Sequence, residues 1–132
     1  MELLSAFGTD EEQYLKADDH VGMSRYFALY KISASGQEFV ELRENSKYKG
    51  RENLAHGDPQ KAQATTSALE GIHVLVGRRF GPNLPRLLAK FLCVVVRTET
   101  IADAVRIVQA NLNAVVAEYG KGEDRKHLVL HA

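Results

Sequence analysis

The sequence predicts a mixed α/β fold, a five-stranded sheet in the order 3-2-1-4-5 with strand two antiparallel and helices on both faces. Three observations predict it. Three strand-like runs come first and are followed by helix, strand, helix, strand and helix, the pattern of a sheet wrapped by helices. The run Leu92 to Val96 is continuously apolar, as befits a strand covered on both faces. Crossovers between parallel strands are right-handed, so strands one, four and five become parallel neighbours, and a hairpin of strands two and three extends the sheet on the other side.

Leu3 to Phe7 is the first strand, too apolar on both sides for a solvated edge. A long polar stretch follows, ending in Asp18-Asp19-His20-Val21-Gly22. Tyr26 to Ile32 is aromatic-rich and forms strand two. Ser33-Ala34-Ser35-Gly36 supplies a turn, and Glu38 to Glu44 is a charged third strand suited to an edge. From Asn45 to Gly57 the chain is polar and has neither strand nor helix period. Asp58-Pro59 starts a first helix, Asp as N-cap and Pro at the first helical position, and Gly71 ends it.

Ile72 to Val76 is the fourth strand, and Gly77 to Asn83 leads into a short helix with Leu84, Leu87, Leu88 and Phe91 on one face. Thr100 and Asp103 make a capping-box-like start to the closing helix. Its stripe runs through Ile101, Ala104, Val105, Val108, Leu112, Val115, Val116 and Tyr119, and Gly120 ends it. Residues 1–120 are thus expected to form one domain and residues 121–132 a tail, which is assigned no site.

Composition narrows the class of function. The chain has 132 residues, 45% hydrophobic and 26% charged, the proportions of an ordinary globular protein. Seventeen basic and seventeen acidic residues give zero net charge, so no global field draws the molecule to nucleic acid or to an anionic membrane. One cysteine permits no internal disulfide and no Cys-x-x-Cys motif. The N-terminal run has no basic region ahead of its apolar residues, and the expected location is cytoplasmic.

A connection as long as that before strand two is more often a functional loop than a spacer. Ligands of open α/β sheets sit beyond the carboxyl ends of the parallel strands, where the strand order reverses. The loop after strand one and the turn after strand four emerge at that end. His20 is the leading candidate metal ligand, since a neutral imidazole binds iron and a flanking carboxylate, Asp18 or Asp19, orients the ring. The competing reading is a solvated loop histidine. His56, beside Gly57, is a candidate second ligand, or else a turn residue. The turn from Gly77 through Gly81 to Asn83, with Arg78 and Arg79, suits an anion such as a metal-sulfur cluster, a carboxylate or a phosphate. It is not a P-loop, and its glycines also serve simply to make a tight turn. Cys93, inside the apolar run, reads as an inert buried thiol, and His73 as a core or interface residue.

Several of these pieces, in this order, carry a resemblance. The sequence Asp19-His20-Val21-Gly22 before the aromatic strand Arg25-Tyr26-Phe27-Ala28-Leu29-Tyr30 resembles the opening of the dinitrogenase iron-molybdenum cofactor accessory family, the NifX-like domains. Glu41-Leu42-Arg43-Glu44-Asn45, His56-Gly57, Gly77 to Asn83 and Thr100-Ile101-Ala102-Asp103-Ala104 continue the likeness over roughly 120 residues. There are two departures: Val21 stands where the family usually has Phe, and Met23 and Ser24 follow Gly22 where some members have a Cys.

The resemblance implies a three-layer ribonuclease H-like motif. It also implies a non-enzymatic carrier of the iron-molybdenum cofactor or an iron-sulfur precursor, with a cofactor-biosynthesis or acceptor protein as partner. His20, Gly22, Asn45, His56, Gly77 and Gly81 are then the cofactor-binding set, with His20 as the metal ligand. Two alternatives stand beside this reading. One is an interaction module of the same fold that has lost its metal site. The other is a metal-dependent nuclease, disfavoured because strands one and four contain none of the carboxylates that two-metal hydrolysis needs.

Overall fold

The computed structural model describes residues 2–45 and 68–131. Its strands are β1 (Leu3–Thr9), β2 (Tyr26–Ser33), β3 (Gly36–Glu44), β4 (Val74–Gly77), β5 (Leu92–Val96) and β6 (Leu128–Leu130). The helices are α1 (Leu84–Leu88), α2 (Ile101–Ala110) and α3 (Leu112–Tyr119). The sheet runs β3-β2-β1-β4-β5-β6. β1 is antiparallel to β2, and β2 to β3, whereas β4 lies parallel to β1 and β5 parallel to β4. The expected order and directions of the first five strands are therefore found.

Alternation along the strands sorts side chains between two cores. Leu3 and Phe7 of β1, Val74 and Val76 of β4, and Leu92, Val94 and Val96 of β5 pack under α2 and α3. Ala6, Leu75 and Cys93 face the other way, against Leu87 of α1, Phe91, Leu69 and Val21. Both faces of the sheet are thus covered, which is why β4 and β5 read as unbroken apolar runs. Among the described residues no helix is long and apolar enough to cross a membrane.

Three expectations change. The sheet has a sixth strand: Val94, Val95 and Val96 pair with Leu128, Val129 and Leu130, parallel to β5. The segment is too short to declare itself, and it becomes a strand because β5 offers it an unpaired edge. Arg125 anchors the approach, donating to the carbonyls of Tyr119 at 2.8 Å and Leu88 at 3.0 Å and lying over the Tyr119 ring. The closing helix is also two helices rather than one. Thr100 caps the first by accepting from the Asp103 amide, as expected, but Asn111 leaves the helical conformation at φ −113° and ψ 25°, its side-chain amide and backbone amide both donating to the Ile107 carbonyl. β4 starts two residues later than expected, because His73 turns its backbone and ring toward Leu4. The first helix expected from Asp58-Pro59, with most of the loop before it, lies outside the described residues.

Candidate functional site

The order of the sheet reverses between β1, which is followed by β2 on one side, and β4 on the other. The carboxyl ends of these two strands, Thr9 and Gly77, mark the crevice where open α/β sheets bind ligands. Residues 10–25 leave β1 and residues 78–83 leave β4, and the two segments meet there.

The long loop is held by an internal frame. Lys16 is buried, its ammonium 2.6 Å from Asp10 and 3.1 Å from Asp18. Asp10 in turn accepts from the Arg25 amide, so the start and end of the loop share one carboxylate. The Lys16 ammonium is also the main cause holding the Asp18 carboxyl below its usual 3.8. Leu15 is buried, and its amide bonds the Glu99 carbonyl. From this frame the chain reaches a short 3-10 turn at Val21–Met23.

That turn sits directly on the sheet, and glycines make this possible. A Cβ on Gly77 would lie 2.6 Å from Val21 Cβ, and one on Gly8 2.5 Å from Val21 Cγ2. Val21 is 2% exposed and occupies the space that those two residues leave empty. Val21 is therefore an anchor facing the core, packed beneath the loop. The Val21 amide donates to the Arg79 carbonyl at 2.8 Å, tying the loop to the turn after β4.

His20 lands on that turn. A Cβ on Gly81 would fall 2.8 Å from both Cγ and Cε1 of the His20 ring, and closer still to Nδ1, so the imidazole lies flat against the glycine. The Asp19 carboxylate accepts from the His20 amide at 2.7 Å and faces ring Nδ1 at 3.7 Å. That separation is too long for a hydrogen bond, so the carboxylate acts on the ring only through its charge.

Asn45 closes the other side. It is fully buried, and its amide nitrogen donates to the carbonyls of Gly22 at 3.0 Å and Ser24 at 2.9 Å. Its backbone amide bonds the Arg25 carbonyl, so the end of β3 clamps the histidine turn.

Five of the six residues singled out in the sequence thus meet at one end of the sheet: His20 over Gly81, Gly77 beneath Val21, and Gly22 in the grip of Asn45. The sixth, His56, lies outside the described residues. Of the two acids Asp19 lies beside the His20 ring and bonds its backbone amide, whereas Asp18 belongs to the lysine frame. The Gly77 to Asn83 turn departs from expectation in one respect. α1 is only five residues long and Asn83 makes no side-chain cap, so the helix dipole there is weak. Any anion at this turn is met by Arg78 and Arg79.

Cys93 and His73 are structural, as expected. Burial pushes the Cys93 thiol up to about 12. His73 Nδ1 accepts from the Leu4 amide, and its ring stands edge-on to Tyr119. Sequence reasoning missed the part played by Lys16 and Gly8, which carry no motif, and it missed Arg97 and His127. Arg97 had a signal, since it directly follows an apolar strand at the ligand end of the sheet.

The family model of the dinitrogenase iron-molybdenum cofactor matches residues 1–111. The chain belongs to this family. No curated protein matches it. The matched span includes His20, Gly22, Asn45, His56, Gly77 and Gly81 and ends at Asn111, the break between α2 and α3. Among the described residues, no group of three or more His, Cys, Asp or Glu side chains is placed to hold a metal ion.

Proposed function

We propose that this protein holds an anionic iron-molybdenum or iron-sulfur cluster, or a precursor of one, and passes it to an acceptor or biosynthetic protein in the cytoplasm without turning over substrate. The observation that carries the reading is the His20 imidazole lying against Gly81, where the loop after β1 meets the turn after β4. His20 is partly exposed at this lip, where a cargo can both arrive and leave. Family membership supplies the chemical class of the cargo. The lack of carboxylates on β1 and β4 supports carriage over metal-dependent hydrolysis.

The test is anaerobic incubation of the wild type and His20→Ala with isolated cluster, followed by desalting and visible and paramagnetic resonance spectra. Retention by the wild type and loss by His20→Ala is the expected result. Equal retention by both removes His20 from the account. Retention by neither, together with stable capture of a partner protein, favours the interaction module.

A further inference from the structure

We propose a second binding site: a cationic cleft on the α1 face of the sheet that takes a compact multivalent anion bearing two or more carboxylate or phosphate groups, and that the C-terminal tail completes. The cleft has a volume of about 440 Å³, within the range of small-molecule sites. Arg78 and Arg79 enter it from the turn after β4, Arg97 from the residue after β5, and His127 from the residue before β6. Phe80 and Val95 give it an apolar wall.

Charge is the first argument. The chain is neutral overall, yet three guanidinium groups and an imidazole share this cleft, and among the described residues no acidic side chain lines it. Among the described residues none of the three arginines has an ion-pair partner. By contrast Lys16, Arg43, Arg106 and Lys121 are each matched to a carboxylate. Like charges gathered without counter-charge repel one another, and a bound anion relieves that repulsion. The planar fork of arginine fits the paired oxygens of carboxylate or phosphate, and three such forks call for more than one anionic group.

Topology is the second argument. Val95 pairs with Val129, so both point to the α1 face, and His127, two residues before Val129, shares it. The tail is held there by Arg125 and by the pairing of β6, so His127 is delivered by ordered structure. His127 lies beyond the family match, which ends at residue 111. The site shares the Arg78–Arg79 turn with the lip that carries His20, but it requires neither His20 nor a metal.

The experiment is amide chemical-shift titration of the full ¹⁵N-labelled chain at constant ionic strength, with citrate in one arm and pyrophosphate in the other. The expected result is saturable shifts centred on Arg78, Arg97 and His127. Affinity should weaken about tenfold or more in Arg97→Gln and in His127→Ala, and stay unchanged in Lys31→Gln, which removes an exposed charge from β2. Saturation in one arm only names the anion class. No saturation in either arm, or equal affinity in Arg97→Gln and Lys31→Gln, overturns the proposal. Neither arm contains metal, so failure here leaves the His20 reading standing, and failure of cluster retention leaves this one standing.

Discussion

Replacing Gly81 by Ala separates the position of the histidine from the stability of the fold. The added Cβ would meet His20 Cγ and Cε1 at 2.8 Å, so the ring must retreat by about 0.7 Å to reach an ordinary carbon contact of about 3.5 Å. A metal-to-imidazole bond tolerates only about 0.2 Å around its preferred length, so that displacement breaks the bond unless the cargo follows the ring. The fold should scarcely notice. Gly81 does not have a positive φ, so alanine suits its backbone, and the His20 side chain is 25% exposed and has room to move outward. Gly-to-Ala exchange at a compatible site stabilises by about 0.4–1 kcal/mol, which offsets the cost of moving one ring. Urea unfolding should therefore agree with the wild type to within about 1 kcal/mol, while anaerobic cluster titration shows binding weaker by about tenfold to a hundredfold. The ¹⁵N resonances of the imidazole report whether the ring has moved. A shifted ring with wild-type cluster affinity would refute the role of His20 as ligand, and an unmoved ring would refute the packing on which the argument rests.

Three further outcomes follow from the site and its supports. Asn45→Ala removes two buried hydrogen bonds to the carbonyls of Gly22 and Ser24 and should lower unfolding free energy by about 1–3 kcal/mol, read from urea midpoints at unchanged slope. Asp18, whose carboxyl Lys16 holds below its usual 3.8, contributes loop stability that is complete above that value and lost as pH falls through the lowered one. A carboxyl carbon titration of Asp18 should move back up toward 3.8 in Lys16→Met, and an unchanged midpoint there would sink the lysine frame. Cys93, with its thiol pushed up to about 12, has a thiolate fraction of about one in ten thousand at pH 8, so thiol reagents should label it only after unfolding. Rapid labelling of the native protein would contradict its burial.

Much of this molecule was legible without coordinates, for a specific reason. β5 and the core stripe of α2 and α3 announce themselves through local pattern, because a buried strand and an amphipathic helix each need their own spacing of apolar residues. The handedness of crossovers then orders the strands, and the order alone brings the loop ending in His20 and the turn through Gly81 to the same end of the sheet. The helix break at Asn111 escaped notice because the apolar stripe continues across it and only the backbone conformation of Asn111 reveals it.

What the residues by themselves determined was which segments bury themselves and at which end of the sheet a ligand belongs, since these depend on neighbours within a turn or two of chain. Only the tertiary structure decided that Val21 fills the space above Gly8 and Gly77, that Asn45 grips the turn carrying His20, and that the tail joins β5 to bring His127 to three arginines. Each of those contacts joins residues far apart in sequence. Its geometry is set by strand register and close packing, which leave no periodic trace along the chain.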